Sequence, residues 1–238
     1  MKNHARSRVL IALFAAFIGL YLVSCGIETF VYLYPVTYRD FEPSSSPGYN
    51  YFSFRTSDDR NEAESPGYFK GFEIYYRIYN NNSTRVNDKS LINNYNNDNP
   101  TTAYTYLLNT KLYKRLSCVV RPNDIPLIPG SDTNREVIVR LEQFNEQSPQ
   151  ISVSGDASLY GVPRRTNDET SASDKLFDLD EIDQGDSDLT YSSSWDTDGV
   201  GKKLAYVQAY VVAYGYDGSY KSIYSELFEL GFITLKEK

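Results

Sequence analysis

Five aspartates lie close together in an acidic stretch of the chain, and carboxylates at this density could bind a hard cation. They are Asp178, Asp180, Asp183, Asp186 and Asp188. Ca²⁺ takes several oxygen ligands, so it is the metal that such a run would suit. The spacing does not follow the D-x-[DN]-x-[DN]-G-x₅-E calcium loop. We therefore expect no cofactor and no metal site here, with Ca²⁺ binding by these five aspartates as the alternative.

The same stretch has a simpler interpretation as a solvated loop. Residues 167–198 contain 11 acids and a single base, Lys175, which gives a net charge of −10. Low hydrophobicity combined with high net charge favours solvation over burial. The sequence therefore predicts an acidic loop over residues 167–198, and Arg164 and Arg165 beside it are expected to neutralise part of its charge.

Two tyrosines on a predicted strand form a second candidate site. In residues 70–79 the apolar side chains take the even positions, while Tyr75 and Tyr79 fall on odd positions. This period-2 pattern predicts a half-buried strand with the two tyrosines facing outward. There they could stack against a sugar or a peptide, or they could pair with side chains of neighbouring strands.

The N-terminus carries the most specific motif of the chain. A basic head, MKNHARSR, precedes 15 uncharged residues, 9–23, which is shorter than the roughly 20 residues of a membrane span. This pattern predicts a secretory signal peptide over residues 1–24. It ends in Leu22, Val23, Ser24 and Cys25. These four residues resemble the lipobox of bacterial lipoproteins, and the wider Tyr- and Asn-rich chain resembles spirochaete lipoproteins.

The lipobox resemblance implies that Cys25 is the attachment point of a lipid. In that family the chain is cut between the residues at the positions of Ser24 and Cys25, and the cysteine receives acyl chains such as palmitate. Each buried CH₂ contributes about 0.8 kcal/mol, so two or more chains hold a protein stably on a bilayer. The resemblance therefore implies a lipid bilayer as partner and the cell envelope as location, at the inner or outer membrane and on the periplasmic or surface side.

Loss of the leader would also remove chemistry from the chain. The only histidine, His4, lies in the leader, so the mature chain would have no Ser-His-Asp, Cys-His or His-ligated zinc site. Cys118 would have no intrachain disulfide partner and is expected as a small buried residue. The mature balance of 21 bases against 31 acids argues against nucleic acid as a partner. These observations predict a protein that is not an enzyme.

The elements that would position these residues are mainly strands. We predict strands over residues 51–56, 70–79, 135–144 and 149–155, and a hairpin of residues 202–216 and 222–235 joined by the turn DGS. Residues 28–36 would form a strand or a spacer that docks on the sheet, and residues 25–49 as a whole an anchored segment and linker. Residues 50–238 would then form one domain.

Besides the acidic loop of residues 167–198, two further insertions interrupt this predicted domain. Nine asparagines among residues 80–99 predict a polar loop over residues 80–100. Pro100 is suited to the first helical position, and an apolar stripe that includes Tyr104, Leu107 and Leu116 predicts one helix over residues 101–116.

The strands at residues 70–79 and 202–235 resemble strands of fibronectin type III domains. Val211, Ala213, Gly218 and Tyr224 carry the resemblance to the last two strands of that family, and GFEIYYRIY is similar to its third. The resemblance implies an antiparallel two-sheet β-sandwich, immunoglobulin-like in architecture, with one inserted helix and long polar loops. It implies no chemistry, because this fold serves many functions.

Together these observations predict a membrane-anchored envelope lipoprotein that works as a non-enzymatic binding, adhesive or structural module. Its partner would be a protein or a glycan of the envelope or of a host. The alternative is a carbohydrate-binding or carboxylate-dependent carbohydrate-active protein, because a pair of carboxyl groups suffices for glycoside hydrolysis. Acids gathered in a cleft of the sandwich would favour that alternative.

Overall fold

The computed structural model describes residues 31–39, 42–43, 50–56, 59–123, 125–130, 134–143, 147–156, 160–166 and 175–238, and its fold is mainly β. Ser24 and Cys25 lie outside these residues, as does most of the predicted linker. The helices are α1 (Asp59–Glu64), α2 (Asn82–Asp98) and α3 (Pro100–Asn109). The strands are β1 (Phe52–Arg55), β2 (Phe69–Tyr79), β3 (Lys114–Arg115), β4 (Ser117–Cys118), β5 (Ile128–Pro129), β6 (Glu136–Arg140), β7 (Gln150–Val153), β8 (Pro163–Arg164), β9 (Leu189–Thr190), β10 (Asp196–Thr197), β11 (Lys203–Tyr216), β12 (Ser222–Tyr224) and β13 (Phe228–Lys236).

The larger sheet is built on the antiparallel pair of its two longest strands, β2 and β11. The free edge of β11 pairs with β13 and β12, which confirms the predicted hairpin. The other edge of β2 is covered in sections by β5, β3 and β9, of which only β9 runs parallel to it. Short strands therefore protect the backbone groups of the central pair.

A smaller antiparallel sheet, β1-β6-β7, packs over the first and completes a β-sandwich. Alternate residues of each strand enter the shared core, as the period-2 patterns predict: Phe52 and Phe54 from β1, and Val137 and Val139 from β6. Cys118 is fully buried in the same core, as expected for a small apolar side chain. The predicted mainly β sandwich with an inserted helix is confirmed.

The prediction of a polar loop over residues 80–100 is wrong, because most of this segment is helix α2. Asn81 caps its N-terminus by accepting a hydrogen bond from the Thr84 N–H at 3.1 Å. The inner face of the helix contacts the sheet largely through polar groups rather than an apolar stripe. Asn96 exchanges two hydrogen bonds with the backbone of Leu227, at 3.0 and 2.9 Å, and Arg85 donates to Gln208 at 2.7 Å.

Helix α3 is shorter than the predicted helix over residues 101–116. It begins at Pro100 behind an Asn99 cap, as expected, but it ends at Asn109. Leu112 then takes a positive φ of 55°, which no α-helix continues through. The chain returns as β3, and the Leu116 N–H donates to the Ile74 carbonyl at 2.7 Å. Pairing with the edge of β2 thus prevails over the helical pattern of residues 110–116, and the chain there becomes a short strand.

The segment at residues 31–39 is not a strand but a spacer that docks on the domain, the second of the two predicted alternatives. Its Leu33 and Val36 side chains are buried, at 2% and 1% exposure, in the main core. The Tyr38 carbonyl accepts a hydrogen bond from the Arg55 N–H at 3.2 Å, next to strand β1. The chain is therefore fixed to the sandwich before the first strand begins.

Candidate functional site

The two tyrosines predicted to face outward from β2 are buried. Tyr75 is 5% exposed and Tyr79 is 0% exposed, because helices α2 and α3 cover this face of the larger sheet. The Tyr79 hydroxyl donates to Asp88 of α2 at 3.2 Å and accepts from the Tyr113 hydroxyl at 3.3 Å. An exposed stacking platform, one of the two alternatives for these tyrosines, is therefore wrong, since α3 and the unpredicted helix α2 cover them.

A buried carboxyl group lies beside Tyr75. Glu73 is 2% exposed, and burial raises its pKa even though the Tyr75 hydroxyl donates to it and the Arg115 guanidinium lies 3.7 Å away. The Tyr75 hydroxyl also lies 2.7 Å from that of Tyr104, whose ring stacks on Tyr224 at a centroid distance of 3.8 Å. This chain of groups joins α3 to the sheet, and aromatic rings cover it.

The acidic stretch is not a solvated loop in its described part, residues 175–198. Phe177, Leu179, Ile182 and Leu189 from this part are all buried in the main core. A 3₁₀ turn over Leu179–Glu181 and the short strands β9 and β10 give the segment its structure. The apolar residues spaced between the acids anchor this segment to the core. The prediction of a solvated loop, which rested on net charge, overlooked them.

Arg165 neutralises two of the five candidate calcium ligands. Its guanidinium donates to Asp188 at 2.6 and 2.9 Å and to Asp186 at 2.5 Å, and its side chain is fully buried. The Tyr76 hydroxyl adds a third donor to Asp188 at 2.7 Å. Hydrogen bonds from Lys175 and Arg165 outweigh the effect of burial and hold the pKa of Asp186 below its usual range. The predicted neutralising role of Arg165 is confirmed.

The five aspartates do not converge on one point. Asp183 is paired with Lys175 at 3.5 Å, Asp180 is exposed, and Asp178 accepts a hydrogen bond from Lys238. Across the described ranges, no group of three or more His, Cys, Asp or Glu side chains is arranged to hold a metal ion. We refer to Arg165, Lys175, Asp186, Asp188 and Tyr76 as the Arg165 network. Its geometry is that of a buried ion-pair cluster.

Asp178 faces a cleft of about 480 Å³ that the sequence did not indicate. Four short pieces of chain form it: residues 141–143 after β6, Pro149 before β7, residues 176–178 at the 3₁₀ turn, and Lys238 after β13. The lining side chains are Leu141, Glu142, Gln143, Pro149, Leu176, Phe177, Asp178 and Lys238. Apolar walls with a few polar groups are typical of small-molecule sites, so this cleft, the Glu142 cleft, is the candidate functional site.

Glu142 is the most perturbed carboxyl group in this cleft. Burial raises its pKa to about 7, against a partial opposing effect of the hydrogen bond from Asn50 Nδ2 at 2.9 Å. The negative charge of Asp178 raises it further, and Lys238 and Lys236 lower it slightly. Glu142 therefore keeps its proton to a higher pH than an ordinary glutamate does.

Asp178, in the same cleft, is shifted in the opposite direction. The hydrogen bond from Lys238 lowers its pKa, and the Asp180 N–H at 3.2 Å lowers it as well because Asp178 caps the 3₁₀ turn. The cleft thus presents one carboxylate and one carboxyl group that is protonated below pH 7. Groups with pKa values displaced apart in one cleft are a mark of functional sites.

Asn50 is the buried hydrogen-bond donor to Glu142. The residue is 3% exposed and donates from Nδ2 to Glu142 and to the Thr234 carbonyl at 3.4 Å. Its buried Oδ1 has no hydrogen-bond partner among the described residues. An unsatisfied buried acceptor costs free energy, so Asn50 donates to Glu142 at some cost in stability.

No sequence signal marked Glu142. It directly follows Leu141, whose inward direction in the predicted strand implies that Glu142 points to solvent. Strand β6 ends at Arg140, which frees the next residues from the alternation, and Asn50 comes from a segment 92 positions away. Only the tertiary fold brings these groups together.

Comparisons with protein-family models, with curated proteins and with solved structures found no match. They assign no family to the chain. Among the described residues, no helix is long and apolar enough to cross a bilayer.

Proposed function

We propose that this chain is a cell-envelope lipoprotein, held on a membrane through lipid on Cys25, that acts as a non-enzymatic binding or adhesive module through the Glu142 cleft. The lipobox-like residues Leu22 to Cys25 support the anchor. The observation that carries the proposal is the docking of residues 31–39, because it would couple an anchor at Cys25 directly to the sandwich.

Polar contacts hold this docked segment at its backbone. The Asn61 side chain accepts from the Tyr34 N–H at 2.6 Å and donates to the Tyr34 carbonyl at 3.0 Å. Ser65 Oγ donates to the Tyr32 carbonyl at 3.1 Å, and the Arg60 guanidinium lies 3.6 Å from the centre of the Tyr34 ring. Asn61 and Ser65 are both buried, so these contacts are shielded from water.

The docked segment limits the length of chain between a lipid on Cys25 and the domain. Val31 follows Cys25 by six residues, and an extended chain spans at most about 3.3–3.6 Å per residue. A lipid on Cys25 would therefore hold the domain within about 20 Å of the bilayer surface. This length suits a module that works against its own membrane or envelope better than one that reaches far from the cell.

Metabolic labelling tests the anchor. Cells expressing the full chain would be grown with a labelled fatty acid, and Cys25→Ala would be compared with Cys118→Ala. We expect label and membrane fractionation in the wild type and in Cys118→Ala, and neither in Cys25→Ala. Incorporation of label into Cys25→Ala would contradict the anchor. Protease shaving of intact cells would then separate a surface position from a periplasmic one.

A carboxylate-dependent carbohydrate-active protein is the second candidate function. Glu142 and Asp178 support it, because one cleft holds an acid with a raised pKa and a carboxylate with a lowered one. In a glycosidase the first would protonate the leaving oxygen, and the second would act as base or nucleophile. A panel of polysaccharides tests this candidate. Turnover that Glu142→Gln and Asp178→Asn both abolish would support it, and no turnover on any substrate would retire it.

We also propose that the sandwich is of the fibronectin type III kind. The hairpin of β11 with β13, beside β2, supports this finer assignment, since the resemblance lies in these strands. An experimental structure that can be superposed on that family over both sheets would test it.

A further inference from the structure

We propose that the Glu142 cleft binds a short, uncharged saccharide, with Glu142, Asp178 and Lys238 contacting its hydroxyl groups and the apolar walls contacting its C–H faces. The inference rests on the proposed function of this cleft as a ligand site. It names the chemical class of the ligand, which the proposed function leaves open.

The cleft has the size and the walls of a small-ligand site. Its volume of about 480 Å³ lies within the usual range of about 300–1,000 Å³. Leu141 and Phe177 form a buried apolar floor, at 3% and 1% exposure, and the half-buried Leu176 and Pro149 form the rim. Such walls remove the C–H surface of a sugar ring from water, which is favourable.

The polar groups of the cleft match hydroxyls, which both donate and accept. Lys238 has three N–H groups, and the described structure assigns one of them to Asp178. The Asp178 oxygens accept from Lys238 and the Asp180 N–H, and each keeps a further lone pair. Glu142 Oε1 accepts from Asn50, and among the described residues no hydrogen bond reaches Oε2, which could therefore serve a ligand. A hydroxyl placed between Lys238 and Asp178 could accept from the first and donate to the second.

The charges around the cleft favour a neutral ligand. The groups that act on Glu142 are Asp178, Lys238 and Lys236, together with the uncharged Asn50. Asp180 acts on Lys238 as well. With Glu142 ionised the balance is therefore three acids against two bases, and with Glu142 protonated it is two against two. Asp178 would repel an anionic ligand, and Lys238 would repel a cationic one. A ligand without charge meets neither repulsion.

Glu142 can serve such a ligand in both of its protonation states. Below pH 7 it offers an O–H donor, and above pH 7 it offers only acceptors. Because a sugar hydroxyl can rotate to donate or to accept, binding should change less than threefold between pH 6 and pH 8. Glu142→Gln keeps a donor and an acceptor without charge, so it should bind about as tightly as the wild type. Glu142→Leu has neither group and should bind at least tenfold more weakly.

Saturation-transfer NMR on the full chain in a sugar-free zwitterionic detergent tests the proposal. The probes are glucose, galactose, N-acetylglucosamine and their disaccharides, with acetate and methylammonium as charged comparisons. We expect transfer to at least one neutral sugar and to neither ion. Lys238→Met should weaken that binding about tenfold, whereas Lys202→Met, another exposed lysine outside the cleft, should leave it unchanged.

The outcomes separate this inference from the function on which it rests. Transfer to acetate or methylammonium alone, lost in Lys238→Met or Asp178→Asn, would overturn the saccharide and keep the cleft as a ligand site. Sugar binding that both Lys238→Met and Glu142→Leu leave intact would overturn the assignment to this cleft. No transfer to any probe would overturn the saccharide and remove the support for the cleft, while fatty-acid labelling of Cys25 tests the anchor separately.

Discussion

The Arg165 network and the Glu142 cleft both place carboxyl groups beside bases at the edge of the core, yet they differ in how those groups are satisfied. Asp188 is 0% exposed and accepts from a guanidinium and a tyrosine hydroxyl. Glu142 is only partly buried, and its described donor is the neutral amide of Asn50. In the Arg165 network a cation offsets the free-energy cost of burying the carboxylate. In the Glu142 cleft a single amide does not.

The density of acids in the sequence therefore does not locate the candidate site. The Asp-rich stretch supplies ions to a closed network that holds residues 175–190 on the core. The lone Glu142 lies in an open cleft, and desolvation alters its proton affinity there. Four variants test this contrast, and their expected effects decrease in the order Arg165→Met, Glu142→Gln, Tyr76→Phe and Lys238→Met.

Arg165→Met should produce the largest loss of stability. It leaves Asp188 buried without its cation and Asp186 with Lys175 alone, and removal of one partner from a buried ion pair costs about 3–5 kcal/mol. Urea denaturation of the full chain in detergent measures the change in the free energy of unfolding. Lys202→Met, an exposed lysine, is the control and should change this value by less than about 0.5 kcal/mol. A loss below about 1 kcal/mol in Arg165→Met would show that the network is not structural.

Glu142→Gln should change the pH dependence of stability. The pKa of Glu142 is about 7 in the folded protein against a reference value of 4.5. As pH rises from about 4.5 to 7, the unfolded chain releases this proton before the folded one, so the wild type loses stability. The loss is complete above pH 7 and amounts to about 3 kcal/mol.

Denaturation of the wild type and of Glu142→Gln at pH 4.5, 6 and 8 measures this contribution. The difference between the two proteins isolates Glu142, because both keep Asp178 and Asp186, whose lowered pKa values act in the opposite sense. We expect the variant to gain on the wild type as pH rises. Parallel pH profiles would contradict the account of Glu142.

Tyr76→Phe should have an intermediate effect. The Tyr76 hydroxyl donates to Asp188 at 2.7 Å and accepts from the Thr166 N–H at 2.8 Å, and the residue is 1% exposed. Its removal leaves that N–H without this acceptor at a cost of about 1–2 kcal/mol. Thermal unfolding of the full chain measures the change. An unchanged melting temperature would show that Arg165 alone satisfies Asp188.

Lys238→Met should have the smallest effect on stability and a clear effect on the cleft. The lysine side chain is 73% exposed, so its ion pair with Asp178 should not measurably change the unfolding midpoint. Saccharide binding should nevertheless weaken, as proposed above. A variant that unfolds at lower urea would assign a structural role to Lys238 and make the cleft resemble the Arg165 network.

Much of the fold could be predicted from the sequence, because its strands follow a clear period. Residues 70–79 and 202–216 alternate strongly, and they form the central pair β2 and β11. Helix α2 escaped prediction because Arg85, Asn93 and Asn96 form much of its inner face through hydrogen bonds rather than through apolar packing. Hydrophobic periodicity cannot detect such a face.

The candidate site could not be predicted from the sequence. The tyrosines of β2 had the right alternation for an exposed platform, but α2 and α3 cover them. Glu142, Asp178 and Lys238 come from three distant parts of the chain and share no motif. The pKa of Glu142 depends on its burial, which no local pattern encodes. The lipobox-like residues at Cys25 lie outside the described residues, and the lipid anchor stays a prediction.

A pH titration of the Glu142 side chain tests the contrast between the two regions most directly. The full chain, labelled with ¹³C at glutamate and aspartate carboxyl carbons, would be followed by NMR from pH 3 to pH 9, with Glu142→Gln and Asp186→Asn used to assign the two signals. We predict that the Glu142 signal titrates with a midpoint near 7, and that the Asp186 midpoint lies below the usual aspartate value of 3.8. A Glu142 midpoint near 4.5, or an Asp186 midpoint above 3.8, would contradict the account.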